Sequence, residues 1–98
     1  METLGNLVAG RKVVTTAGTE VALSATAIAV KRVWITALKA NTNQVAIGGN
    51  PVVAAAGSET GIVLKPTDQP ICLHHTNLAA IYVDSVTNGE GVSFLYEF

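Results

Sequence analysis

Three side chains that can bind metals or act as nucleophiles lie close together in the chain: Cys72, His74 and His75. A zinc site needs three or four converging His, Cys, Asp or Glu ligands. Adjacent histidines on a strand point to opposite faces, whereas Cys72 and His74 share a face. Because a third and a fourth ligand are missing nearby, we predict no metal site. We expect one histidine to point inward with a hydrogen bond and the other to point outward.

Cys72 is the only cysteine and lies in an apolar run, where a free cysteine behaves as a small buried hydrophobe. Nucleophilic catalysis needs a base and an orienting acid beside the nucleophile. Only Asp68 and Asp84 are aspartates, and no Gly-x-Ser-x-Gly motif is present. We therefore predict a protein that is not an enzyme, with no catalytic residue and no cofactor. A minimal enzyme site formed by Cys72, His74 and Asp84 is the alternative.

The distribution of charge argues against two classes of partner. Six Lys and Arg residues against seven Asp and Glu residues give a net charge of −1, without a basic run. This pattern predicts no nucleic-acid partner. Apolar stretches stay below the roughly 18 to 20 residues of a membrane span, and the first residues lack the features of a secretory signal. We expect a soluble protein made in a cytoplasm, with no membrane partner.

The low charge content itself predicts assembly. Charged residues make up 13% of the chain and hydrophobic residues 49%, whereas about a quarter of an average protein is charged. A domain of 98 residues has a large surface for its volume. The simplest explanation is that other chains cover part of this surface. A monomer coated with Ala, Thr, Ser, Asn and Gly is the alternative.

The elements that would position these residues are short strands. Val, Ile and Thr are frequent in the apolar bursts, and they suit a pleated, half-buried strand better than a helix. Bursts separated by turn residues are typical of an all-β sandwich or barrel. We predict an antiparallel β-sandwich, jelly-roll-like, in a single domain. The bursts cover residues 11–15, 20–23, 26–30, 32–38, 44–47, 52–54, 61–64, 71–74, 80–84 and 92–96.

Turn residues divide the bursts at defined places. Residues 40–43 separate two strands, and Gly48-Gly49-Asn50-Pro51 ends the second of them. Asn88-Gly89 is the strongest short hairpin signal in the chain. It predicts that residues 81–86 and 92–96 pair as an antiparallel hairpin. Residues 77–80 are expected to form a short turn before the strand that begins at Ile81.

The strand around Trp34 is apolar on both faces. Val33, Ile35 and Ala37 form one face, and Trp34, Thr36 and Leu38 form the other. A strand of this kind is covered on its outer side, either by residues 4–8 of the same chain or by a neighbouring subunit. Trp34 is therefore predicted to lie in the core or in an interface.

The order of several segments resembles that of small virion-associated proteins of tailed bacteriophages. That group has an ANTG-like turn, a VYVG-like strand and a terminal GxGVSYLY-like strand. The similarity spans about two-thirds of the chain, but the turn lacks its glycine and the first thirty residues match nothing in the group. The matching segments are VWITA at 33–37, ANTN at 40–43, VAIGG at 45–49, GIVLKP at 61–66, IYVD at 81–84 and GEGVSFLY at 89–96.

The resemblance implies a structural protein of the phage particle, most economically a capsid decoration or cement protein. Its implied partners are further copies of itself, as a homotrimer, and the major capsid protein, so that its location is the capsid surface of the virion. Residues 1–10 would form an N-terminal arm or first strand, and residues 11–98 the β-sandwich domain. The expected interface residues are Leu4, Leu7, Val8 and Trp34. The alternative is a tail, receptor-binding or carbohydrate-binding β-sandwich module.

Overall fold

Two four-stranded antiparallel sheets form the protein in the computed structural model, which describes residues 6–98. Sheet I has the strand order β1-β8-β3-β6, and sheet II has the order β2-β7-β4-β5. The all-β, single-domain prediction is confirmed. The strands are β1 Leu7–Val14, β2 Val21–Ala22, β3 Ala29–Ala37, β4 Val45–Gly48, β5 Ile62–Leu64, β6 Ile71–Asn77, β7 Tyr82–Ser85 and β8 Glu90–Glu97.

One hydrophobic core contains residues of both sheets. Alternation along β3 buries Val33, Ile35 and Ala37, while the side chains between them stay partly exposed. The large, fully buried members of the core are β-branched residues and Leu78, which begins a short 3₁₀ turn, Leu78–Ala80, before β7. Burial of such a side chain stabilises the fold by about 1.5–3 kcal/mol. Further core residues are Val14, Val45, Ile47, Leu64, Val83, Val92, Phe94 and Tyr96.

Most predicted bursts became strands, with two differences. The bursts at 26–30 and 32–38 merge into the single strand β3, which covers only Ala29–Ala37, and its alternation is interrupted at Lys31 and Arg32, which are both exposed. Residues 52–54 form no strand, and Val53 makes only an isolated antiparallel bridge with Thr60. The turn at 77–80 is present, with the Asn77 side chain accepting the backbone N–H of Ala79.

The predicted hairpin between residues 81–86 and 92–96 is wrong. Strand β7 pairs with β2 and β4 in sheet II, whereas β8 pairs with β1 and β3 in sheet I. Asn88-Gly89 therefore turns the chain from one sheet to the other, and Gly89 has a φ of +84°. A turn signal reports a local reversal, but the strands that a segment pairs with depend on residues far along the chain.

The N-terminal segment continues the sheet instead of covering it. Strand β1 runs across the expected boundary at residue 10, and Leu7 and Val8 pair with Glu97 and Tyr96 of β8. These two residues therefore do not lie over the outer side of β3. Leu4 lies outside the described residues.

Buried polar contacts fasten the β3–β4 connection to the first residues of β8. The Asn41 side chain donates to the Gly91 carbonyl at 2.9 Å and accepts the Gly91 N–H at 3.3 Å. The Glu90 carboxylate accepts the Thr42 N–H at 2.6 Å, the Thr42 hydroxyl at 2.9 Å and the Asn43 N–H at 3.1 Å. These bonds satisfy the buried backbone of Gly91 and the part-buried N–H groups of Thr42 and Asn43.

Gly91 permits this arrangement because β1 passes directly against it. A Cβ at position 91 would overlap the Lys12 carbonyl oxygen and come within 2.8 Å of the Val13 Cα. The backbone atoms of β1 are held against β8 by their ladder of hydrogen bonds, and they cannot move aside as the end of a flexible side chain can.

The substitution Gly91→Ala is expected to destabilise the fold by about 3 kcal/mol or more, since it forces β1 away from β8. Gly49→Ala is the matched control, because nothing lies within 4 Å of a Cβ at that position. Urea unfolding of both variants measures the difference. Equal midpoints for the two variants would contradict the close approach of β1 to Gly91.

Candidate interaction surface

The outer face of sheet I carries an apolar row that crosses all four strands. Ala9 pairs with Leu95, Leu95 with Trp34, and Trp34 with Cys72. Trp34 is half-buried, and the other three residues are exposed. Side chains directly opposite each other on one face of a sheet interact, so the row forms a continuous apolar strip on the surface.

A second row beside the apolar one carries charge. Leu7 pairs with Glu97, Glu97 with Arg32, and Arg32 with His74. The Arg32 Nε and Nη2 atoms donate to the Oε1 atom of Glu97 at 2.8 and 2.5 Å. The guanidinium carbon also lies 5.8 Å from the centroid of the Trp34 ring, a distance at which cation–π attraction operates. The two rows are thus linked through Arg32.

Exposed apolar side chains concentrate where β1 begins and β8 ends. We call this region the apolar end and define it by Leu7, Val8, Leu95 and Phe98. Leu7 and Leu95 lie on the outer face of sheet I, and Val8 lies on the other face, opposite Tyr96. Leu7 is 62% exposed and Phe98 is 47% exposed. The end therefore exposes apolar side chains on both faces of the sheet.

Two shallow cavities adjoin on the outer face, since Thr36 and Pro70 line both of them. The smaller has a volume of about 190 Å³ and includes Trp34 and Leu95. The larger, about 760 Å³, lies between the end of β3 and the loop before β6. Its polar lining residues are Thr36, Lys39, Thr67, Asp68 and Gln69.

A third cavity, the cationic cavity, is lined by Lys31, Arg32, His74 and His75 and has a volume of about 310 Å³. Both histidines are exposed, so the expectation of one inward histidine is wrong. His75 has a φ of +50°, and this left-handed conformation interrupts the alternation of β6 that the expectation assumed.

Cys72 is also exposed and not buried as predicted. It lies on the outer face of β6, an edge strand of sheet I, where the apolar strip leaves its side chain in contact with solvent. Its Sγ lies 3.5 Å from the His74 Nε2, which agrees with the expectation that these two side chains share a face.

Asp84 lies far from this pair in the fold, on β7 of sheet II. It is only 1% exposed, and its carboxylate accepts the N–H groups of Gly18 and Ala54, both at 2.9 Å. Because Val83 points into the core, Asp84 points to the outer side of sheet II. The structure therefore does not bring together Cys72, His74 and Asp84, and Asp84 acts as an anchor for two loops.

Within residues 6–98, no group of three or more His, Cys, Asp or Glu side chains is close enough to hold a metal ion. No helix in that part of the chain is long and apolar enough to cross a membrane. Comparison of the chain with protein-family models, curated proteins and solved structures found no match.

Sequence reasoning named Leu7, Val8 and Trp34 but missed Leu95, Phe98 and the cationic cavity. A signal for the cavity was present in the sequence. Lys31-Arg32 and His74-His75 each place two adjacent polar side chains inside an otherwise alternating strand, and such a pair breaks the alternation that buries one face. That the two pairs lie side by side required the register of β3 with β6.

The buried carboxylate of Glu90 makes stability depend on pH. Burial by itself raises the pKa of Glu90, but the hydrogen bonds from Thr42 and Asn43 outweigh it and lower the pKa below the ordinary value of 4.5. The ionised form therefore stabilises the fold above the unfolded-state pKa. This contribution is lost as the pH falls through the lower, folded-state pKa.

We expect Glu90→Gln to lower the free energy of unfolding by roughly 1–3 kcal/mol at about pH 7, because an amide nitrogen then faces N–H donors. The difference from the unsubstituted chain should shrink as the pH falls below about 4.5. Denaturant unfolding at several pH values measures it. Glu20→Gln is the control, since Glu20 makes no side-chain hydrogen bond with a described residue. If the loss of unfolding free energy in Glu90→Gln stayed the same at low pH, the role of the Glu90 charge would be contradicted.

Proposed function

We propose that this protein is a structural component of a bacteriophage virion, a capsid decoration or cement protein that binds other copies of itself and the major capsid protein. The observation that carries the proposal is the apolar end. Four of the six large hydrophobic residues that are exposed in the described chain belong to it, namely Leu7, Val8, Leu95 and Phe98. The other two are Ile62 and Val86.

Contiguous exposed apolar surface marks a site of interaction with another protein or a membrane. Here Leu7, Val8 and Leu95 lie on two paired strands and on both of their faces, and Phe98 follows the second of these strands. A partner that covered one face would still leave the other in water. Contacts with more than one neighbour, as in a trimer seated on a capsid, would bury both, and obligate interfaces of this kind are large and hydrophobic.

The strand order supports a jelly-roll β-sandwich as the finer description of the fold. Successive strands alternate between the sheets in the orders β1-β8-β3-β6 and β2-β7-β4-β5, and only β4 and β5 are consecutive strands within one sheet. Eight strands in two sheets formed from two Greek keys define a jelly roll, an architecture common in viral capsid proteins and lectins. This likeness is an analogy of fold and supports the proposal only together with the surface.

A carbohydrate-binding module is the second candidate, favoured by the adjoining cavities that lead from Trp34 to polar residues. Such modules stack sugars on exposed aromatic rings. In this protein the Arg32 guanidinium lies over the Trp34 ring and Glu97 holds it there. A sugar would have to displace this contact, and we therefore favour the structural role.

The double substitution Leu7→Ser and Leu95→Ser should weaken association between subunits by about tenfold to 100-fold, since two leucines lose their burial in the interface. The stability of an isolated subunit should change by less than about 0.5 kcal/mol per exposed site. Light scattering across a concentration series measures association. Sedimentation with empty heads of the phage that encodes the chain measures binding to the capsid.

Ile62→Ser is the matched control, because Ile62 is 44% exposed and Leu95 is 38% exposed, but Ile62 lies on an edge strand of sheet II. It should associate like the unsubstituted chain. A chain that stays monomeric at high concentration and does not sediment with heads would refute the proposed function.

Fluorescence of Trp34, the single tryptophan, should separate the two candidates. If subunits or capsid cover the outer face of sheet I, acrylamide quenching should fall and the emission should shift to the blue as the chain assembles. The Leu7→Ser and Leu95→Ser variant, kept dilute, provides the unassembled reference. Unchanged quenching upon assembly, together with protection by added sugars, would favour the carbohydrate-binding module.

A further inference from the structure

We propose that the cationic cavity is a binding site for an oxyanion, either a carboxylate or a phosphate group, with Lys31, Arg32, His74 and His75 as its ligands. Every side chain that lines the cavity carries nitrogen atoms that can donate hydrogen bonds. Its volume of about 310 Å³ is far above the roughly 10–15 Å³ that a single water molecule needs. A partly hydrated phosphate or carboxylate group therefore fits.

The cavity gathers a large share of the cationic groups of a charge-poor chain. Two of the six Lys and Arg residues and both histidines line it. Among the described residues, the only ion pair is that of Arg32 with Glu97, so Lys31 keeps an uncompensated charge. The fixed charges of Lys31, Arg32 and Glu97 sum to +1.

Arg32 keeps donors for a ligand despite its ion pair. A guanidinium has five N–H groups, and the contacts with Glu97 use only the Nε and one hydrogen of Nη2. The carboxylate also holds the guanidinium in place, so a ligand would meet an already oriented donor. An arginine held in this way loses little side-chain entropy upon binding.

Both strands depart from regular alternation at the same level of the sheet. On β3 the adjacent residues Lys31 and Arg32 are both exposed, and on β6 the adjacent residues His74 and His75 are both exposed. Arg32 pairs with His74 across the sheet. The two interruptions therefore turn four cationic side chains toward one cavity, whereas regular strands would expose only one residue of each pair.

The backbone at His75 adds an energetic argument. It is the one non-glycine residue of the described chain with a positive φ, at +50°. Such a conformation is uncommon for a residue other than glycine and clusters at functional sites. Glycine adopts it more easily, but glycine would leave the cavity without the imidazole that His75 contributes to its lining.

A metal ion is a poorer occupant than an anion. Cys72 and His74 lie 3.5 Å apart, but they are two ligands where a zinc site has at least three protein ligands. The charges of Lys31 and Arg32 would also repel a cation. The anion site does not rest on the proposed function, because binding of an anion to it can be measured with the isolated chain.

The experiment follows the imidazole resonances of His74 and His75 by NMR while inorganic phosphate is added at low ionic strength and constant pH. We expect saturable shifts of both imidazoles at millimolar phosphate. Lys31→Gln and His75→Asn should each weaken binding by about tenfold, the loss of one charged hydrogen bond. His75→Asn keeps a residue that tolerates the left-handed backbone.

Lys65→Gln is the matched control, since it removes the same charge from an exposed site outside the cavity, and it should bind phosphate like the unsubstituted chain. A short glutamate peptide, titrated in the same way, distinguishes the two kinds of anion. If the peptide binds more tightly than phosphate, the site is assigned to carboxylates of a protein partner. If phosphate binds more tightly, the site is assigned to phosphate groups. Absence of saturable shifts with both probes would refute the site. Equal loss of binding in all three variants would also refute it.

Discussion

The contacts of Glu90 and Asn41 with backbone groups of the β3–β4 connection and of Gly91 are the constraint on which the rest of the structure depends. The chain changes sheets after every strand except β4, so its connections cross the ends of the core, where backbone N–H groups lose water. Glu90 and Asn41 satisfy such groups in the β3–β4 connection and at Gly91, and Asp84 does the same for two loops on the far side of sheet II. No buried side-chain nitrogen or oxygen of residues 6–98 lacks a partner.

The surface follows from how the sheets overlap. Sheet I has the longer strands, with eight residues each in β1 and β8, whereas the strands of sheet II have two to four. The end of sheet I where β1 begins and β8 ends exposes apolar side chains on both faces. A domain with 13% charged residues has few side chains to make that end soluble. Association with other chains would remove the apolar area from water.

The proposed anion site and the apolar end lie on the same sheet but would bind a partner through different interactions, the first through charge and the second through apolar contact. Apolar contacts provide affinity without strong direction, whereas a charged pair of stated geometry selects a partner and its orientation. A carboxylate of a capsid or sister subunit placed in the cationic cavity would set the angle at which the apolar end docks. Charge at an otherwise apolar interface acts mainly through this selectivity.

The sequence by itself determined the all-β class, the positions of most strands and the low charge, because alternation and turn residues act over a few neighbours in the chain. It also named Leu7, Val8 and Trp34 as candidate interface residues. The tertiary structure alone decided that Asn88-Gly89 joins two sheets, that Cys72 and both histidines face solvent, and that Lys31 and Arg32 lie beside them. Strand β7 pairs with β2 and β4, whereas β8 pairs with β1 and β3. These long-range contacts form only in the folded chain. Residues 32 and 74 become neighbours through this long-range pairing, and no local pattern in the sequence encodes it.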